Sequence, residues 1–170
     1  MNPFRWPFRA QYFAGFSVCI LLLAFAYYVQ FQLGIEPCPL CIFQRFAFMA
    51  LALFFLVGAI GNPRERGRRV CALLVFLSAC AGIAIAARHI WVQHQPPDPM
   101  AGCAPGWNYM VSNFPIGDAI KKAFTGSADC AEVNWTLLGM SMPFWTLVAF
   151  VVIGTAGLWA GYRRRPSNAR

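Results

Sequence analysis

The sequence predicts an all-α integral membrane protein: a four-transmembrane-helix bundle with both termini cytoplasmic and a long second loop on the outer side. Three observations predict it. First, 59% of the 170 residues are hydrophobic and only 12% are charged, too apolar a balance for an ordinary soluble domain. Second, residues 10–35, 46–63, 70–87 and 133–162 contain no Asp, Glu, Lys or Arg. Crossing a hydrocarbon core takes roughly 20 residues at about 1.5 Å rise each, and every run is near or above that length. Third, the net charge of +8 is sorted along the chain. Arg5 and Arg9 precede the first run, Arg64, Arg66, Arg68 and Arg69 separate the second from the third, and Arg163, Arg164, Arg165 and Arg170 follow the fourth. Four crossings place all three groups on one side, and short arginine-rich segments stay cytoplasmic. The basic balance is therefore topology, not a nucleic-acid footprint. Four spans leave little chain for a second core, so residues 1–170 read as a single membrane domain.

Residues 1–11 form a basic, aromatic lead. The apolar run after them is too long for a signal-peptide core and has no clear small-residue cleavage site, so it reads as a retained anchor. Span one covers about residues 12–31, and 32–38 make a short outer turn ending in Glu36-Pro37-Cys38. Span two covers about 39–60. Pro39 suits the first turn of a helix because its φ is fixed and it lacks an N–H, while Gly61-Asn62-Pro63 stops the span. Arg64 to Arg69 read as the inner loop. Span three covers about 70–91 and carries Arg88 and His89 at its outer end. The second outer segment, about 92–142, opens on Gln95-Pro96-Pro97-Asp98-Pro99, where three prolines argue for irregular chain. Within it, Ile116, Ala119, Ile120, Ala123 and Phe124 share one helical face and Asp118, Lys121 and Lys122 the other. Residues 116–124 therefore read as an amphipathic helix that lies on the membrane or packs on the loop. Span four covers about 143–162. Trp91, Trp107, Trp135 and Trp145 fall near the outer boundary, as an interfacial aromatic belt requires.

Seven cysteines divide by location. Cys19, Cys71 and Cys80 fall inside or at the edge of spans and read as small packing residues. Cys38, Cys41, Cys103 and Cys130 fall on the outer side, where disulfides persist. Four cysteines pair in three ways, of which Cys38–Cys41 with Cys103–Cys130 is the first to consider. A C-x-x-C disulfide closes a tiny ring and adds little stability through chain entropy. At a helix start, where the dipole favours thiolate, such a pair is more often redox-active than structural. Arg45 stands four residues after Cys41 and shares its helical face. A guanidinium at a membrane boundary is costly unless it has a partner or a task. Arg88 can snorkel to the headgroups. His89 is either a packing histidine or a hydrogen-bond donor to a lipid-soluble acceptor. A cation and a donor beside a thiolate, at bilayer level, suit a quinone ring. His94 is assigned no role.

Taken together, C-x-x-C-x3-Arg opening span two, His89 ending span three, Ser127-Ala128-Asp129-Cys130-Ala131-Glu132, Trp135 and Gly139-Met140-Ser141-Met142-Pro143 resemble the disulfide bond formation protein B (DsbB) family over essentially the whole chain. The resemblance implies a multi-pass bacterial inner-membrane protein-disulfide oxidoreductase with its active cysteines on the periplasmic side. It implies reoxidation of a periplasmic DsbA-type thiol oxidase and delivery of the electrons to a membrane quinone, ubiquinone or menaquinone. It makes Cys38–Cys41 the quinone-coupled disulfide, Cys103–Cys130 the disulfide that meets DsbA, and Arg45 and His89 the quinone-site residues. Gly102-Cys103-Ala104-Pro105-Gly106-Trp107 carries little motif, so Cys103 is placed by its location. Two other readings stand beside this one. One is a non-enzymatic tetraspan protein whose outer loop is stapled or holds zinc through four cysteines. The other is a DsbB-like paralogue with one dedicated partner. No resident metal is expected.

Overall fold

A computed structural model describes residues 6–32, 34, 37–61, 63–95, 115, 117, 118, 136, 137 and 139–163. Four long helices carry the fold: α1 Phe8–Gln32, α2 Pro39–Gly61, α3 Glu65–Gln93 and α4 Met142–Tyr162. Each is long and apolar enough to cross a membrane. Immediately before α4, β1 Thr136–Leu137 pairs antiparallel with β2 Met140–Ser141, Thr136 opposite Ser141 and Leu137 opposite Met140. The periodicity of the outer segment gave no sign of this hairpin. Its turn is set locally: Gly139 sits at φ 78°, a conformation glycine adopts without steric cost. Cys103 and Cys130 lie outside the described residues, as does the expected helix over 116–124 apart from residues 117 and 118.

The arginine-rich stretch differs from its expected form. α3 begins at Glu65, so Arg66, Arg68 and Arg69 belong to a helix and not to a loop. A carboxylate in the first turn complements the positive helix end, and Glu65 also pairs with Arg69 one turn on. Charge ends the membrane-crossing stretch without ending the helix. α1 likewise starts at Phe8, ahead of the charge-free run.

The helices run antiparallel in sequence order. α1 packs along α2, α2 along α3 and α3 along α4, while α1 and α4 meet more sparsely. The core is aromatic at its centre. Tyr12 and Phe150 are fully buried, and Phe150 stacks on Phe48 at 4.0 Å between centroids. The Tyr12 hydroxyl donates to the Gly157 carbonyl (3.3 Å), which satisfies a polar group deep in apolar surroundings. Small residues let α3 and α4 approach: a Cβ on Gly154 would stand 2.6 Å from that of Ala79, and one on Gly157 2.7 Å from Val75. Helix association in lipid depends on this kind of close fit, because lipid tails are as apolar as the side chains. The outward faces carry exposed Phe13, Leu21, Leu53, Ile60, Leu77 and Val152, a surface suited to hydrocarbon and not to water.

One end of the bundle gathers the cations. Arg9 donates through Nε to the Ala59 carbonyl (3.0 Å), and Arg68 lies over the Phe8 ring at 5.8 Å. Arg163 ends α4 over Trp159 (4.9 Å). The opposite end holds the start of α2, the end of α3 and the start of α4, and there the cysteine pair sits.

Candidate functional site

Cys38 occupies the N-cap of α2. Its carbonyl accepts the first helical bond, from Ile42 N–H (3.2 Å), and its sulfur accepts from the Cys41 backbone N–H (3.3 Å). Pro39 explains why the helix starts here. It favours an extended Cys38 and supplies the one helical residue that needs no N–H partner. The result puts Cys41 in the first turn with its Sγ 2.9 Å from that of Cys38, closer than ordinary sulfur contact. Leu40 and Val92 pack around Cys38, which is buried.

The two sulfurs face different surroundings. Cys41 lines a cavity of about 540 Å³ between α1, α2 and α4, and Cys38 does not. That volume lies within the roughly 300–1,000 Å³ of small-molecule sites. The walls are apolar, from Leu22, Val29, Phe48 and Ile153 among others, with Cys41, Gln44, Arg45 and Thr146 as the polar groups. Val18, Phe25, Trp145 and Val152 border it while exposed on the outer surface, so the cavity opens sideways, towards where lipid lies. This is the groove left by the sparse α1–α4 contact.

Arg45 reaches across to α1. Its Nη1 donates to Gln30 Oε1, its Nη2 donates to the Ala26 carbonyl (3.0 Å), and its guanidinium lies 4.9 Å from the Tyr27 ring centroid. A charge at membrane depth is thereby hydrogen-bonded and stacked. His89 projects from α3 into the bundle and is only 3% exposed. Its Nε2 stands 3.7 Å from Cys38 Sγ and its Nδ1 3.3 Å from Gln44 Nε2. Gln44 in turn meets Thr146, whose hydroxyl lies 2.8 Å from Gln44 Oε1 and 2.9 Å from the Pro143 carbonyl. Cys38, Cys41 and His89 thus bring two sulfurs and a ring nitrogen within 4.8 Å of one another. A closed zinc site takes four such donors, and the described residues assemble three, with an amide behind the ring.

A half-buried cysteine pair at a helix start, a laterally open apolar cavity and four apolar helices agree with the comparison with known proteins. The family described as Disulfide bond formation protein DsbB matches residues 8–160. The chain is 49% identical over 169 residues to the disulfide bond formation protein B of Xanthomonas euvesicatoria pv. vesicatoria (strain 85-10), covering 99% of this chain and 98% of that one. It is 47% identical over 155 residues to that of Nitrosococcus oceani, covering 91% and 89%. It is also 47% identical over 150 residues to that of Methylococcus capsulatus, covering 88% and 92%. The chain belongs to the DsbB family. It is a four-helix, multi-pass membrane protein of disulfide bond formation, and the resemblance read from the sequence holds at the level of family and fold.

Within this DsbB-family chain the structure gathers Cys38, Cys41, Arg45 and His89 at one end of the bundle, but in two compartments. Cys41 and Arg45 border the cavity. His89 stands behind Cys38, on the α3 side, and is not among the cavity-lining residues. Sequence reasoning missed Gln30, Gln44 and Thr146. Each is uncharged and so leaves a charge-free run intact. The usable signal was polarity inside a span, since amide and hydroxyl groups there need partners.

Proposed function

We propose that this protein reoxidises a periplasmic DsbA-type dithiol and passes the electrons to a membrane quinone, ubiquinone or menaquinone, thereby sustaining disulfide formation. The observation that carries the proposal is the position of Cys41, one sulfur of a touching pair, on the wall of a laterally open apolar cavity that also holds a guanidinium. Apolar walls suit a quinone ring and tail, and Arg45 can donate to a carbonyl oxygen. When bound there, a quinone supplies a sink for two electrons and two protons.

The remaining chemistry belongs to the chain. The incoming thiolate attacks the Cys103–Cys130 disulfide at Cys103, giving a mixed disulfide and freeing Cys130. Cys130 attacks Cys38, and Cys41 leaves as a thiolate into the cavity that Arg45 also lines. The partner's second thiol then displaces Cys103 and leaves as the oxidised protein, and Cys103 attacks Cys130, which re-forms Cys103–Cys130 and frees Cys38. Each exchange depends on the leaving thiol and on access to the attacked sulfur. By the positive-inside rule the arginine-bearing end faces the cytoplasm and the cysteine end the periplasm, in the bacterial inner membrane.

The deciding experiment follows quinone absorbance with time, using the purified full-length protein, a soluble quinone and a reduced DsbA-type protein. Catalytic loss of quinone absorbance that depends on the dithiol is expected. No turnover, with an inert Cys38–Cys41 disulfide of very negative potential, would refute the proposal in favour of a stapled, non-enzymatic membrane protein.

A further inference from the structure

Besides the Tyr12 phenol, Gln44 and His89 are buried polar side chains, at 4% and 3% exposure. They bond to each other and lead to Cys38. Thr146, Gln44, His89 and Cys38 form a continuous line with steps of 2.8, 3.3 and 3.7 Å, running from α4 through α2 and α3 back to the start of α2. Buried polar groups in an apolar bundle are costly unless satisfied. This line satisfies them and ends on a reactive sulfur.

We infer that His89 is the acid–base partner of Cys38, and that Gln44 and Thr146 are positioning residues that hold its ring in place. The inference deepens the proposed quinone-linked oxidation and rests on it for the oxidant. It gives His89 a task at the thiol, where its Nε2 points. The amide makes a reversible orienter. With Thr146 donating to Gln44 Oε1, Gln44 Nε2 donates to Nδ1, and the neutral ring presents an N–H to the sulfur. Turning the amide over keeps both contacts and reverses them. Thr146 then donates its single proton to the Pro143 carbonyl (2.9 Å) and accepts from Gln44 Nε2, while Gln44 Oε1 accepts from Nδ1–H. Nε2 is then a bare acceptor facing the Cys38 thiol. A base held by a third group beside a thiol is the arrangement that activates cysteine nucleophiles.

The proton count closes. The pair re-forms from a Cys38 thiol and a Cys41 thiolate. The Cys38 S–H bond breaks and its proton goes to His89 Nε2, the S–S bond forms, and two electrons leave to the quinone. A quinone in the cavity would take up the two electrons with two protons from solvent, and His89, outside that cavity, returns its proton to solvent. Among the described residues, the titratable groups gathered with the His89 ring are the Cys38 and Cys41 thiols. Gln44 and Thr146 are neutral, Arg45 is turned to Gln30 and Ala26, and Arg88 precedes His89 on α3.

The test reads Cys38 directly and needs neither quinone nor protein partner, so it stands apart from the proposed function. Reduced full-length protein is treated with methyl methanethiosulfonate, small and uncharged, across a pH series, and modification is resolved residue by residue by mass spectrometry. Wild-type protein should show a pH-dependent rate step for Cys38 that requires His89. His89→Ala and His89→Gln should remove the step and slow Cys38 about a hundredfold near neutrality, and free imidazole should restore part of the rate to His89→Ala. Slowing is diagnostic, because the smaller alanine opens access to the sulfur. Gln44→Leu and Thr146→Val should displace the step, and Gln44→Glu should bring it back. A wild-type profile with no such step overturns the inference whether or not any variant folds. So does a folded His89→Ala variant that leaves Cys38 modification unchanged.

Discussion

Replacing Arg45 separates two roles that the fold gives one side chain. The guanidinium ties α2 to α1 through Gln30 and Ala26, and it borders the cavity beside Cys41. If it also donates to a bound acceptor, its removal deletes a hydrogen bond from a charged donor, worth about 1.5–3 kcal/mol. At about 1.4 kcal/mol per factor of ten, Arg45→Ala should raise the KM for a soluble quinone roughly ten- to a hundredfold. The turnover rate at saturating quinone should fall much less. Arg45→Lys keeps the charge but loses the planar fork, so it cannot hold both α1 partners and reach the cavity; a smaller rise is expected. Steady-state quinone absorbance with a reduced dithiol gives KM, and thermal melting followed by circular dichroism gives stability. Gln30→Ala is the control, since it removes a tether partner and leaves the cation. Equal losses of melting temperature in Arg45→Ala and Gln30→Ala, with KM unchanged in both, would refute the argument and leave Arg45 a strut between helices.

Three further outcomes are expected. Cys41→Ser should abolish quinone reduction while Cys103 and Cys130 still exchange with a dithiol, measured by trapping mixed disulfides; undiminished quinone turnover would reverse the roles given to the sulfurs. Phe150→Ala should cost about 3–5 kcal/mol in stability, because it empties a fully buried site stacked on Phe48, and the denaturation midpoint reports it. Replacing Cys71 and Cys80 together by Ala should leave quinone turnover intact, since neither lies near the cavity or the cysteine pair; a folded but inactive double variant would contradict that placement.

The spans were legible because the gain from moving apolar residues into lipid accumulates along the chain, so a window of sequence decides it. The start of α2 was legible for a local reason: Pro39 fixes its own φ and constrains Cys38, and no distant residue is needed. Helix ends on the arginine side were not legible from charge-free runs, because Arg66, Arg68 and Arg69 leave lipid without leaving the helix. The direction of Arg45 was half legible. Spacing put it on the face of Cys41, and both do line the cavity, but the side chain is long enough to seek its partners on α1. The surroundings of His89 were half legible: a place beside the cysteine pair was expected, the contact with Gln44 was not. Its neighbours Cys38 and Gln44 are 51 and 45 positions away, and only helix packing brings them together.

The sideways opening of the cavity bears on why the pair stands where it does. A DsbA-type oxidant sits near −120 mV and a glutathione-like pool near −200 mV, so reoxidation by that pool would run about 80 mV, or about 4 kcal/mol, uphill. An oxidant carried in lipid removes the deficit, but it arrives from the side while the thiol arrives from water. One disulfide serves both if its sulfurs face apart. Here Cys41 fronts the cavity, and Cys38 sits on the other side with His89 and the end of α3. In the proposed scheme the loop thiol and the quinone then approach opposite ends of a single S–S bond, with no demand that the helices move. The order of residues Cys38-Pro39-Leu40-Cys41 produces this division, because an N-cap side chain and a third-position side chain leave a helix on different bearings.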